Sequence, residues 1–301
     1  MKTEEDGNIT FAWWNTSLSP SAKSRATEDD LKVALSVIEY MIVSSKVDFI
    51  ALGEISEQDI EKIKSSIEIY DYELRGGVSN AGRSKFDTCY IFNTQKIFIS
   101  DLSNIVSRRG GGSLKVAQKL DLVVEGFEFP VHVFVSHWPS RLWCNENDAE
   151  RHNLGIRLRD EVEELISLYD FDPYIVLLGD YNDEPFDKSL SDQVMATRDI
   201  NLAKKKSHLL YNPFWKYLSA RSFDIESSGS YYYKSGKLTQ WHTFDQIIFS
   251  HAFLTSKEWG LCEKSDFILS IPGYVETVKN NNSIFDHLPV SGRLVRTNTH
   301  G

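Results

Sequence analysis

Apolar positions recur along this chain with two periods. In residues 9–15, ITFAWWN, Ile9, Phe11 and Trp13 fall on one face of a strand that ends on Asn15. After a Ser- and Pro-containing loop, Thr27 heads TEDD, a capping-box pattern, and Leu31, Ala34, Leu35, Ile38, Met41 and Ile42 follow at helical spacing. Residues 47–54, VDFIALGE, are almost continuously apolar until Gly53 and Glu54, as expected of a buried strand. Further strand-like runs are DTCYIFN (87–93), LKVAQKLDL (114–122), PVHVFVSHW (130–138), PYIVLLGDYN (173–182), FDQIIFS (244–250) and PVSGRLV (289–295). Leu154, Leu158, Val162, Leu165 and Tyr169 mark one long helix among them. The pattern fades between Asp187 and Gln240, which hold the triplets Lys204, Lys205, Lys206 and Tyr231, Tyr232, Tyr233. Irregular insertions of that length usually carry function or disorder.

Composition narrows the class only a little. At 41% hydrophobic and 25% charged residues the chain is ordinary globular protein, not a disordered, collagen-like or disulfide-scaffold sequence. No repeat, Pro-rich linker or low-complexity stretch divides its 301 residues, which predicts one α/β domain with a core from about 8 to 296. Charge is more informative: a net −10 repels polyphosphates at long range, so contact with nucleic acid must be local or metal-mediated. Cys89, Cys144 and Cys262 lie far apart in no CxxC spacing, which argues against a disulfide framework or a zinc cluster. The opening MKTEEDGNIT lacks a signal peptide's apolar run, and no stretch of about 18 apolar residues follows. A soluble cytoplasmic protein is expected, with no membrane association and no obligate protein partner.

The ends of the apolar runs carry unusual chemistry. Asn15, Glu54, His137, Asp180 with Asn182, Asp245, and Asp286 with His287 all sit at such ends. Singly they have plain explanations: Asn15 as a turn cap, Glu54 as a solvated terminus, His137 packed beside Trp138, His287 bonded to a loop carbonyl. Together they are hard to place in a structural protein, because clustered carboxylates raise one another's pKa and burial penalises their charge. A divalent cation resolves that conflict. Oxygen donors suit Mg²⁺ or Mn²⁺, and the absence of paired Cys or an HExxH helix speaks against zinc. Gly179 and Asn182 make a tight strand exit that presents Asp180 at a sheet edge. Asp245, opening an apolar strand, needs a partner such as His287.

The motifs WWNTSL, ALGEIS, VSHWPSR, LLGDYNDEP, FDQIIFS and FDHLPV, in that order, resemble those of the endonuclease/exonuclease/phosphatase superfamily. That is the fold of deoxyribonuclease I, exonuclease III-type repair nucleases, inositol polyphosphate 5-phosphatases and neutral sphingomyelinases. Two positions depart from the pattern: Gly53 stands where Gln often precedes the glutamate, and Phe285 where Ser often precedes the final Asp-His pair. The resemblance implies a four-layer α/β/β/α sandwich, two face-to-face mixed β-sheets flanked by helices, with the active site at one rim. It also implies roles. Glu54 and Asp286 would hold the metal, with Asn15 helping through a water or the phosphate. Asp180 would orient or deprotonate the attacking water, and Asn182 would donate its amide to a phosphate oxygen. His137 would do likewise or assist the leaving group. His287, oriented by Asp245, would donate to the phosphate as charge builds. Asp87 and Tyr90 are the nearby candidates for the residue that assists His137.

Hydrolysis of nucleic-acid phosphodiesters by in-line attack of water is the expected reaction. Arg141 is the expected substrate-binding arginine, with Arg108 and Arg109 on backbone phosphates and the region from Lys204 through Tyr233 stacking bases. The alternative is a phosphatase or phosphodiesterase acting on an inositol phosphate, a nucleotide or a lipid headgroup, the last disfavoured by the lack of a basic amphipathic helix. An inactive binding scaffold is disfavoured because Glu54, Asp180 and His287 are all present.

Overall fold

Both kinds of apolar run form strands, and the difference between them is how many faces are covered. A computed structural model describes residues 7–20, 26–67, 70–82, 84–109, 112–219, 227–265 and 267–297. β1 (Asn8–Asn15) leads through α1 (Glu28–Val43) to β2 (Phe49–Gly53), followed by α2 (Glu57–Ile67) and β3 (Tyr72–Gly76). The small hairpin β4 (Ser79–Ala81) and β5 (Ser84–Phe86) precedes β6 (Cys89–Asn93). A long hairpin, β7 (Ile97–Arg109) and β8 (Gly112–Val124), leads into β9 (Val131–His137), α3 (Ala149–Leu168) and β10 (Tyr174–Asp180). Then come β11 (Ala196–Thr197), α4 (Ile200–Ala203), β12 (Leu210–Tyr211), the hairpin β13 (Tyr231–Tyr232) and β14 (Trp241–His242), and β15 (Asp245–Phe249). α5 (Ala252–Thr255), β16 (Trp259–Leu261), α6 (Tyr274–Lys279) and β17 (Val290–Arg296) complete the order.

These strands make two large mixed sheets, β16-β17-β1-β2-β6-β3 and β11-β12-β15-β10-β9-β8-β7. Alternation in the second sheet shows how they pack. Val133, Val135, Val176, Leu178, Ile247 and Phe249 join the apolar cluster of the first sheet. The residues between them, Phe134, Ile175, Leu177 and Ile248, turn the other way onto Leu154, Leu158, Val162 and Leu165 of α3. The central strands are therefore apolar on both faces, between the facing sheet and a helix layer. α1 and α2 add Ala34, Ile38, Met41, Ile60 and Ile63 to the first cluster, giving the four layers expected. Thr27 caps α1 in a complete capping box with Asp30.

Some elements are not visible in the sequence pattern. β7 is an edge strand whose pairing with β8 slips between Ile99 and Asp101 and again between Ile105 and Val106. Each slip changes the face that a given parity occupies, so the apolar period is lost. α2 buries only Ile60, Ile63 and Ile67 as its apolar stripe, too thin a signal in a polar segment. Cys89, Cys144 and Cys262 are all free thiols. Among the described residues, no helix is long and apolar enough to cross a membrane.

Candidate active site

Strand pairing assembles the site. β9 and β10 run parallel with His137 opposite Asp180, and β15 runs antiparallel to β10 with Asp245 opposite the same Asp180. On the facing sheet, β1 and β2 are parallel with Asn15 opposite Gly53, so Glu54 leaves the sheet at the same rim. Two sharp exits aim the acids. Glu54 adopts a left-handed backbone, φ 54°, just beyond Gly53, where a Cβ would meet the Trp13 ring at 2.5 Å. A larger residue at position 53 would run into that ring. Gly179 has φ 152°, and a Cβ there would lie 1.8 Å from the Ser136 carbonyl oxygen. Only glycine fits this crowded exit, which turns Asp180 into the rim.

Two hydrogen-bonded histidine–carboxylate pairs face each other across the site. Asp245 accepts from Trp13 Nε1 at 2.8 Å and from His287 Nδ1 at 2.8 Å, and its backbone N–H donates to Ser230 Oγ at 2.9 Å. His287 Nε2 then points at the other acids, 3.8 Å from both Asp180 Oδ2 and Asp286 Oδ1. Burial lowers the proton affinity of His287, but Asp245, then Asp180 and Asp286, outweigh it and raise its pKa to about 10. On the other side His137 Nδ1 lies 3.1 Å from Asp87, whose carboxylate also takes Lys115 Nζ at 2.7 Å. Burial depresses the His137 imidazolium, and Asp87 more than reverses that. Of the two candidates for His137's partner the geometry selects Asp87. Tyr90 instead donates to Gln118 Oε1 at 2.6 Å.

Asp180 is buried and receives the Asn182 backbone N–H at 2.8 Å and the Asn15 amide at 3.3 Å. Burial and the neighbouring Asp245 raise its pKa, against the pull of His287 and His137. A buried carboxylate with raised proton affinity beside two imidazoles suits a general base. Glu54 is different: among the described residues no hydrogen-bond donor reaches its carboxylate, and burial, offset in part by His137 and His287, raises its pKa. Asp286 adds to that rise from nearby and accepts Ser17 Oγ at 3.0 Å. A half-buried carboxylate with no donor among the described residues, next to a second carboxylate, fits a hard divalent cation. Donor atoms of Asp180, Asp245 and His287 also gather within 4.8 Å. Both Asp245 oxygens and His287 Nδ1 are already hydrogen-bonded within the protein.

Asn15, Glu54, Asp87, Lys115, His137, Asp180, Asn182, Asp286 and His287 line one cleft of about 690 Å³, and Asp245 stands behind it. The chain departs from expectation at several places. Arg141 does not line the cleft: its guanidinium donates to Asn182 O at 2.8 Å, Glu146 at 2.9 Å and Asp187 at 2.5 Å, and stacks over Phe244. Its bonds tie it to the Asn182 loop and to those two carboxylates, outside the cleft lining. Asn15 is likewise engaged, its Oδ1 by Ser17 N–H and its amide by Asp180. This fits a residue that orients Asp180 better than a metal ligand. Arg108 lies exposed on β7 outside the cleft lining, and the Arg109 side chain lies outside the described residues. Lys204 sits 3.6 Å from Glu263, and none of Lys204–Lys206 lines the cleft, whereas Tyr231–Tyr233 all do. The tyrosines have a role that sequence reasoning missed. Tyr232 N–H donates to Asp286 O at 2.8 Å and Leu288 N–H to Ser230 O at 2.7 Å, so the β13–β14 hairpin clamps the backbone carrying Asp286 and His287. The Tyr231 ring also lies against the His287 ring, tilted by 36° with centroids 4.6 Å apart.

The profile of the endonuclease/exonuclease/phosphatase family matches residues 23–289. The chain belongs to this family. As an endonuclease/exonuclease/phosphatase family member it is a phosphoric-ester hydrolase, and solved structures of low identity share its fold. The human Nocturnin catalytic domain, with bound sulfate anion, is 17% identical with TM-score 0.64, covering 96% of this chain and 95% of its own. Bacteroides thetaiotaomicron mannosyl-6-phosphatase is 15% identical with TM-score 0.59, covering 95% and 99%. TDP2 from D. rerio, complexed with single strand DNA product, is 12% identical with TM-score 0.58, covering 96% and 99%. No curated protein matches the sequence. Phe285, the second departure from the family pattern, is buried and stacks on Trp14 at 6.1 Å. The aromatic ring there anchors the Asp286–His287 segment on β1.

Proposed function

We propose that this chain is a divalent-metal-dependent nuclease whose residues 1–301 form one catalytic domain, acting in the cytoplasm, where its three thiols stay reduced. The observation that carries this reading is the cleft itself. Glu54, Asp286, Asp180, His137 and His287 line it, and so do Lys85, Leu114 and Tyr231–Lys234. A single small ester needs only the acidic and imidazole groups of that lining, whereas a polynucleotide also has use for the basic and aromatic side chains around them.

Glu54 and Asp286 would hold Mg²⁺ or Mn²⁺, which when bound supplies positive charge at a phosphoryl oxygen. The remaining chemistry belongs to side chains. Asp180 takes a proton from the attacking water, aided by its raised proton affinity. His287, held by Asp245 and protonated through neutral pH, donates from Nε2 to the phosphate as negative charge grows. Asn182 uses one amide proton on Trp138 O at 3.1 Å and offers the other to a phosphate oxygen. His137, on the far side with Asp87, assists the departing oxygen.

The test is a substrate panel of supercoiled plasmid, single-stranded DNA, RNA and small phosphate esters with Mg²⁺ or Mn²⁺. Metal-dependent cleavage of polynucleotides is expected, with small esters turned over at least about tenfold less efficiently by kcat/KM. Hydrolysis confined to a small ester would replace the nuclease reading with the phosphatase one.

A further inference from the structure

The loop after His137 carries two large apolar side chains almost fully in solvent, Leu142 at 84% and Trp143 at 78% exposure. Both line the catalytic cleft. A floppy loop would expose such residues without meaning, but this one is pinned. Arg151, fully buried on α3, donates to Pro139 O at 2.8 Å and to Cys144 O at 2.6 Å, gripping the loop on both sides of the pair. Trp143 N–H closes a turn on Ser140 O at 2.9 Å, and Arg141 is tied to Glu146, Asp187 and Asn182. The fold thus holds an indole in water at the cleft rim at the cost of leaving apolar area unburied. Lys85, also lining the cleft, is exposed and has no carboxylate partner among the described residues.

We propose that Leu142 and Trp143 form a stacking platform for an unpaired base next to the scissile phosphate, with Lys85 contacting a neighbouring phosphate, so that the substrate is a single-stranded polynucleotide. This rests on the nuclease reading above and adds the strand class and the residues that select it. The chemistry is complementary. Every base offers a π face to an indole regardless of sequence, and an exposed ammonium at the cleft attracts backbone phosphate toward a site otherwise rich in acids. A duplex keeps its bases stacked on one another and cannot use the platform.

The experiment compares the native chain with Trp143→Ala, Trp143→Phe and Lys85→Gln on single-stranded DNA, single-stranded RNA, duplex DNA and bis-p-nitrophenyl phosphate. The native chain is expected to prefer a single strand to a duplex, the two single-stranded arms deciding between DNA and RNA. Trp143→Ala should lower the ratio of kcat/KM on the preferred oligonucleotide to that on the small diester by about tenfold, mainly through KM, and Trp143→Phe should restore most of it. Lys85→Gln should flatten the dependence of log KM on log salt by about one phosphate contact. If the native chain cleaves oligonucleotides but Trp143→Ala leaves the ratio unchanged, the platform is refuted while the nuclease reading stands. If no polynucleotide is cleaved and the small diester is, the nuclease reading fails and the platform with it.

Discussion

Replacing Asp180 by Asn will lower kcat by about 10²- to 10⁴-fold, the range for loss of a positioned general base. It will leave the fold intact, because asparagine has the same shape and its Oδ1 can still accept the Asn182 backbone N–H that Asp180 receives at 2.8 Å. Stability is the second half of the prediction. Burial and the Asp245 carboxylate oppose the charge on Asp180, so removing that charge relieves a conflict that the active site maintains for function. The variant should therefore unfold in urea at the native midpoint or above it, while hydrolysing almost nothing. A variant that loses activity only in proportion to a lower unfolding midpoint would show that Asp180 is structural.

Gly179→Ala should have the largest effect on stability. A Cβ at this position would stand 1.8 Å from the Ser136 carbonyl oxygen and 2.7 Å from its carbon, both backbone atoms of the adjacent strand. The contact cannot be relieved by a rotamer change, and φ 152° is itself unfavourable for a side chain. A loss of more than about 3 kcal/mol is expected, measured by urea denaturation, because β9 and β10 must separate to admit one methyl group. Activity should fall with it, since the same peptide aims Asp180 and Asp180 pairs with His137 across β9.

The two variants show why so much of the site was legible in the sequence. Strand termini are where an apolar run must meet polar residues, and in a sandwich the parallel pairs β1–β2 and β9–β10 bring those termini to one rim. Asn15, Glu54, His137 and Asp180 stood out because each interrupts an apolar run. What was not legible depends on contacts made across long loops. Arg141 reads as a free cation beside a catalytic motif, yet carboxylates 5 and 46 residues further along consume it. Asp87 opens an apolar strand run and was only a candidate, because its pairing with His137, 50 residues away, is set by how β6 and β9 face each other. Lys115, its other partner, sits inside an ordinary strand and gave no signal at all. The β13–β14 hairpin is two residues on each side, too short for any period to emerge, although its tyrosine triplet was visible as composition.

Glu54 offers the most direct test of the account. Its carboxylate meets no protein donor among the described residues, and Asp286 stands close enough to raise its pKa. The measurement is phosphodiester hydrolysis by the native chain and Glu54→Gln across a Mg²⁺ or Mn²⁺ titration and in EDTA, with Mn²⁺ binding followed by calorimetry on the same samples. The account predicts that the native chain is inactive in EDTA and active with metal, and that Glu54→Gln binds Mn²⁺ at least about tenfold more weakly and needs correspondingly more metal for activity. Equal hydrolysis in EDTA, or a Glu54→Gln variant with native metal affinity and native activity, would contradict it.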